Sequence, residues 1–143
     1  MLYLADLVES ASNINLRGIM ALPDINANAS DREIEMREII DLSKKLQKKY
    51  NCIIVLKGQG TIICSKKEMY LCASGGPELA VAGTGDILSG VIGSLIAQGL
   101  APIDAAIAGV GLHAQAGENF ATDVGRIGLA ASELIPQIRK LLN

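Results

Sequence analysis

The amino-acid sequence predicts an α/β protein, a short sheet packed by helices, and three observations carry that expectation. The chain of 143 residues is 50% hydrophobic yet only 3% aromatic, with no Trp and a single Phe. Its core must therefore be assembled from Ile, Leu, Val and Ala, which suits helices lying close on a sheet better than a sandwich or a base-stacking platform. Cys52-Ile53-Ile54-Val55-Leu56 is an unbroken, largely β-branched apolar run, the pattern of a strand buried on both faces. Finally, Ala82-Gly83-Thr84-Gly85-Asp86-Ile87-Leu88-Ser89-Gly90 is a glycine-rich loop that passes directly into helical spacing. The length is that of one domain, residues 1–143.

In chain order, Leu2 to Ala11 has helical character, with Leu4, Leu7 and Val8 on one face, and Ile14 to Leu22 reads as a short strand closed by Pro23-Asp24. Ser30 is a suitable N-cap and Glu33 completes a capping box for a helix over Asp31 to Tyr50. Ile34, Ile39, Leu42 and Leu46 give that helix its apolar stripe, and Lys44, Lys45, Lys48 and Lys49 form a solvated face that complements the helix dipole. The strand over residues 52–56 is followed by a turn at Lys57-Gly58-Gln59-Gly60 and a hairpin of Thr61 to Cys64 with Met69 to Cys72. Three helices are then predicted: Asp86 to Gln98, Pro102 to about Asn119, and Ala130 to Leu142. Gly99 suits a C′ position and Pro102 a first helical position.

Several function classes are disfavoured. Thirteen basic and fifteen acidic residues leave a net charge of −2, which gives no footprint for a nucleic acid. Cys52, Cys64 and Cys72 form no C-x-x-C pair and read as free thiols of a reducing compartment rather than a metal site. The N-terminus shows no basic region ahead of an apolar core. The nearly uncharged stretch from Ile87 to Leu112 is interrupted by Gln98-Gly99, Pro102 and Asp104, so no apolar run approaches the ~18 residues of a membrane span. A cytoplasmic protein without a membrane partner is expected.

The chemistry is concentrated at residues 83–86. Gly83 and Gly85 leave backbone amides unshielded at the positive end of a helix, where phosphate oxygens or a developing oxyanion are stabilised. Asp86 in the first turn is either a charge that complements the helix dipole or a general base beside an anion site; spacing alone leaves both open. Leu88 stands where a dinucleotide fingerprint has its third glycine, and no Lys follows Gly85 as a P-loop requires.

The stretches Leu56-Lys57-Gly58-Gln59-Gly60-Thr61, Pro77-Glu78-Leu79-Ala80-Val81-Ala82-Gly83-Thr84-Gly85-Asp86-Ile87-Leu88-Ser89-Gly90, Leu95-Ile96-Ala97-Gln98-Gly99-Leu100 and His113-Ala114-Gln115-Ala116-Gly117 together resemble the C-terminal part of the ADP/ATP-dependent NAD(P)H-hydrate dehydratases. These are ribokinase-like proteins that repair damaged nicotinamide cofactors. The resemblance implies a partial ribokinase-like layered fold over residues 51–143, with residues 1–50 an atypical N-terminal segment. It further implies that Lys57, Gly58, Gln59, Gly60 and Thr61, with Gly83, Thr84 and Gly85, meet ADP or ATP carrying Mg²⁺, and that Asp86 meets the hydrate near its reacting hydroxyl. The family pattern has Asn at the position of Gly76 and Gly at that of Glu78. His113 lies in an Ala/Gly-rich helix and reads as a packing residue rather than a catalytic one, and Arg126, beside Gly125, is within reach of a phosphate but reads as a surface arginine on a turn.

Ile14-Asn15-Leu16-Arg17-Gly18-Ile19-Met20-Ala21-Leu22-Pro23 resembles a segment of a second family, the pyridoxal-phosphate homeostasis proteins, which have an alanine-racemase-like barrel. Two accounts fit: a hybrid joined near residues 50–56, or a truncated dehydratase whose N-terminal region has diverged. Three functions remain in competition: a hydrate dehydratase or its nucleotide-binding half, a small-molecule kinase of the same superfamily, and a non-catalytic nucleotide-binding or self-associating domain. Because a ribokinase-like domain is roughly twice this length, apolar surface should remain uncovered and favour a homo-oligomer.

Overall fold

A computed structural model describes residues 18–21, 29–58 and 60–143, with side chains described from residue 36 onward. The helix expected over Leu2 to Ala11, the capping side chains of Ser30 and Glu33, and the site residue Gln59 lie outside what is described. The described residues cluster into two compact units. One comprises residues up to Gly58 together with Ile62–Leu71, and the other Gln59–Thr61 together with Cys72–Asn143.

The first unit holds a four-stranded sheet in the order β1 (Gly18–Ala21), β2 (Ile53–Leu56), β3 (Thr61–Cys64), β4 (Met69–Cys72), the terminal residues Thr61 and Cys72 clustering with the second unit. β1 and β2 run parallel with Gly18 opposite Ile53, connected through helix α1 (Ala29–Tyr50). β2 and β3 run antiparallel with Val55 opposite Ile63. Because side chains alternate across a strand, Ile54, Leu56, Ile62 and Cys64 share one face. On it they pack with Cys52 and with Leu46 and Tyr50 of α1. Val55 and Ile63, on the opposite face, are buried as well, so β2 has the two-sided burial expected of its β-branched run. The hairpin boundaries are those predicted; Ser65 closes the turn, its amide donating to the Glu68 carbonyl at 2.8 Å.

One expectation for α1 needs correction. Leu42 is 46% exposed, and the buried stripe instead runs through Ser43, Leu46, Gln47 and Tyr50. Ser43 occupies the core position that Leu42 was expected to take, its hydroxyl satisfied by donation to the Ile40 carbonyl at 2.7 Å. The lysines at 44, 45, 48 and 49 are exposed, as a solvated face requires. The helix ends at Asn51, whose φ of +47° is left-handed.

The second unit is helical: a 3-10 turn at Pro77–Leu79, α2 (Thr84–Ala97), α3 (Pro102–Asp123), a second 3-10 turn at Ala131–Glu133, and α4 (Leu134–Leu141). Gly99, at φ +98°, closes α2, and Pro102 opens α3, both as predicted. α3 buries an unusually small set of residues, including Ala105, Ala106, Gly109, Ala114, Ala116 and Gly117. A Cβ placed on Gly109 would lie 2.6 Å from Ile92 Cγ1, and one on Gly117 2.7 Å from Leu79 Cγ. Those contacts are closer than real side chains tolerate, so the two glycines set how near α2 and the 77–79 turn come to α3. Leu79, Phe120, Leu129, Leu134 and Ile138 fill the remaining core. Cys52 and Cys64 are buried and Cys72 half-buried, none of the three in a disulfide, and no helix among the described residues is long and apolar enough to cross a membrane.

Candidate functional site

The glycine loop is formed and tied down from below. Gly83 has φ +88°, a left-handed conformation that accounts for glycine there. Thr84, 1% exposed, places its hydroxyl 2.9 Å from both the Leu79 and Val81 carbonyl oxygens, so one proton serves two acceptors and anchors the loop to the preceding turn. The Thr84 amide donates to Val81 O at 3.4 Å, and those of Asp86 and Ile87 donate to Gly83 O at 3.1 Å. The Gly85 amide has no acceptor among the described residues. It is left at the positive end of α2, where an anionic oxygen would satisfy it.

Asp86 lies in the first turn of α2, exposed, and its carboxylate makes no hydrogen bond or ion pair among the described residues. It stands at the edge of a groove of about 380 Å³ lined by Ile87 and Val91 of α2 and by Ile135, Ile138 and Arg139 of α4. A charge that complements the helix dipole needs no bond to loop amides, so this placement is compatible with both roles, dipole partner and general base.

A second cavity of about 380 Å³ is lined by Gly75, Gly76, Glu78, Glu118 and Arg126. The Gly75 amide donates to Glu118 Oε1 and the Gly76 amide to Glu78 Oε1, each at 2.9 Å. Glu78 is 3% exposed, and a Cβ on Gly76 would fall 2.5 Å from its carboxylate. The carboxylate of Glu78 thus fills the space that a side chain at 76 would need. Arg126 is exposed on the turn between Gly125 and Gly128.

Of the residues predicted from sequence, Gly83, Thr84, Gly85 and Asp86 fall in the helical unit, where Gly60 and Thr61 also cluster. Lys57 and Gly58 fall in the sheet unit, at the end of β2. Lys57 is buried, and burial lowers its pKa from the usual 10.5. Gly60 has φ +83°, which turns the chain into β3. No group of three or more His, Cys, Asp or Glu residues able to hold a metal is found among the described residues. His113, which the sequence assigns to packing, is buried on α3. It is 3% exposed, and its Nε2 lies 2.9 Å from the Thr84 carbonyl oxygen, inside the glycine loop. The available signal was the spacing of Gly109, His113 and Gly117, four residues apart along one ridge of α3.

Comparison with known proteins places this geometry in a family. The profile described as NAD(P)H-hydrate dehydratase matches residues 27–140, a span that takes in α1 as well as the glycine loop. The chain is 46% identical over 99 residues to the bifunctional NAD(P)H-hydrate repair enzyme Nnr of Coxiella burnetii, covering 68% of this chain and 20% of that protein. It is 41% identical over 102 residues to the ADP-dependent (S)-NAD(P)H-hydrate dehydratase of Neisseria meningitidis, covering 70% of this chain and 34% of that one. Among solved structures, the ADP/ATP-dependent NAD(P)H-hydrate dehydratase of Bacillus subtilis co-crystallised with ATP/Mg²⁺ aligns with a TM-score of 0.70 at 27% identity, covering 75% of this chain and 39% of that chain. That likeness bears out the α/β class and the partial ribokinase-like layering. The chain spans a fifth to a third of the length of these curated relatives, and it belongs to the NAD(P)H-hydrate dehydratase family.

Proposed function

We infer that this chain carries the nucleotide-binding and base-bearing part of an ADP- or ATP-dependent NAD(P)H-hydrate dehydratase. The observation behind this reading is the pairing of an unsatisfied Gly85 amide with an uncommitted Asp86 carboxylate one residue later. The amides of Gly83 and Gly85 would hold oxygens of the phosphoryl group, and Asp86 would take the proton from the hydroxyl of NAD(P)H hydrate as that oxygen attacks phosphorus. The nucleotide would leave as ADP (from ATP) or AMP (from ADP), and elimination of phosphate from the ester, with loss of a proton from the neighbouring ring carbon to solvent, would restore the dihydronicotinamide double bond. Mg²⁺ would be carried on the nucleotide phosphates. Bound there it would neutralise phosphate charge. Lys57, Gly58, Gln59, Gly60 and Thr61 are assigned to the nucleotide by family likeness. The exposure of Val124, Ile127, Ile135 and Leu142 supports self-association, which sedimentation at micromolar concentration would test.

Calorimetric titration of the chain with ADP and ATP, coupled to an assay of NADPH-hydrate turnover, tests this reading. Nucleotide binding is expected for the wild type. Asp86→Ala is expected to abolish turnover while leaving nucleotide affinity within about threefold, since the carboxylate acts on the hydroxyl and not on the phosphates. Gly85→Val should weaken nucleotide binding by obstructing the amide. Absence of nucleotide binding by the wild type would remove the site; binding without turnover would make the chain a nucleotide-binding domain alone. A large loss of ADP affinity in Asp86→Ala would show that the carboxylate belongs to the nucleotide.

A further inference from the structure

We propose that His113 is a positioning residue for the nucleotide site, holding the Thr84–Gly85 peptide so that the Gly85 amide faces the bound phosphate; this rests on the functional reading above. A carbonyl oxygen only accepts, so the ring nitrogen 2.9 Å from Thr84 O must carry a hydrogen. His113 Nε2 is therefore the donor. In a trans peptide the C=O and the following N–H point in opposite directions. Fixing the Thr84 carbonyl towards α3 consequently fixes the Gly85 N–H away from it, out of the N-terminal end of α2. Among the amides of residues 84–87, that of Gly85 is the one with no acceptor among the described residues. The buried histidine thus reaches the peptide whose N–H is left available.

The rest of α3 is built to deliver that ring. Gly109 and Gly117 sit one helical step to either side of His113 on the same ridge, and each removes a Cβ that would collide, with Ile92 of α2 in one case and Leu79 in the other. The approach they permit brings the imidazole to a backbone atom 29 residues away in sequence. From the other side, the Thr84 hydroxyl grips Leu79 O and Val81 O, and Ser89 Oγ donates to Gly85 O at 2.9 Å. The carbonyls on both sides of the Gly85 N–H are thereby held, and the peptide has little freedom to rotate.

Nitrogen-15 NMR of the imidazole, with ADP titrations of His113→Leu, His113→Gln and Val110→Ala, tests the proposal. The ring is expected to carry its hydrogen on Nε2. His113→Leu should weaken ADP binding about tenfold, the equivalent of one hydrogen bond, and should move the Gly85 amide resonance in the free protein. Gln at 113 keeps an N–H donor and should recover most of the affinity. Val110→Ala, a truncation of the same helix at a buried position, should lower thermal stability and leave ADP affinity unchanged. A ring protonated on Nδ1 with Nε2 bare would overturn the proposal, as would a folded His113→Leu that binds ADP like the wild type. If His113→Leu fails to fold, the tautomer and the Gln variant decide. If the wild type binds no ADP, the functional reading fails, and the tautomer together with the Gly85 resonance still decides whether His113 sets this peptide.

Discussion

The strands of the sheet unit and helix α3 of the helical unit make their buried contacts with different inventories. In the first, Ile54, Ile62 and Ile63 are at most 2% exposed, and large β-branched side chains fill the space beside β2 and β3. In the second, α3 presents Ala105, Ala106, Gly109, Ala114, Ala116 and Gly117, and contact is made by bringing backbones together. The difference teaches where each unit is vulnerable. The sheet unit should suffer when atoms are removed, because the strands cannot collapse into the void. The helical unit should suffer when atoms are added, because its distances are set by missing side chains.

The largest expected effect tests the first half of that contrast. Ile54→Ala removes a fully buried side chain from β2, which has neighbours on both edges, and is expected to cost about 2–5 kcal/mol in chemical denaturation. A cost below about 1 kcal/mol would mean that the sheet relaxes into the cavity, and the contrast would fail.

A matched pair of glycine substitutions tests the second half. Gly117→Ala gains about 1 kcal/mol of helix propensity but drives a methyl to 2.7 Å from Leu79, and overpacking of that kind costs about 1–3 kcal/mol. The net is expected to be destabilising. Gly111, on the same helix, has nothing within 4 Å of an added Cβ. Gly111→Ala should therefore stabilise by about 1 kcal/mol. Equal changes in melting temperature for the two variants would show that α3 is not held at a fixed distance by Gly117.

What the sequence revealed follows the same division. The strands of the sheet unit were legible because a β-branched run and a hairpin are local patterns: Thr61–Cys64 and Met69–Cys72 emerged with their predicted boundaries. The glycine loop was legible too, because φ > 0 and exposed amides are properties of glycine itself. α2 begins two residues earlier than predicted, at Thr84, because Asp86 and Ile87 both donate to Gly83 O. The last helix was placed at Ala130, but a 3-10 turn precedes it, and its regular part starts at Leu134. Pro136 in its first turn is compatible with that start and with little beyond it. The 3-10 turn at Pro77–Leu79 has no period to detect. The hydrogen bonds from His113 to Thr84 and from Gly75 to Glu118 span 29 and 43 residues, and such pairs depend on packing that no local pattern encodes.

Among the described residues each unit buries one charged residue, Glu78 in the helical unit and Lys57 in the sheet unit, and the smallest expected effect comes from the second. Asp86 keeps its carboxylate in solvent, whereas Lys57 is buried at the end of β2, where desolvation lowers the pKa of its ammonium group below 10.5. In the unfolded chain the amine stays protonated up to the usual value. Between the lowered folded pKa and 10.5 the unfolded state therefore binds more protons, and stability must rise with pH across that window. Below the window the folded protein holds the cation that burial disfavours. Lys57→Met keeps the aliphatic bulk and removes the ionisable group, so its stability relative to the wild type should fall as pH rises through the window. Denaturation of both proteins over an alkaline pH series measures this. A wild-type curve that falls as fast as that of the Met variant would show that partners of the Lys57 ammonium offset its burial.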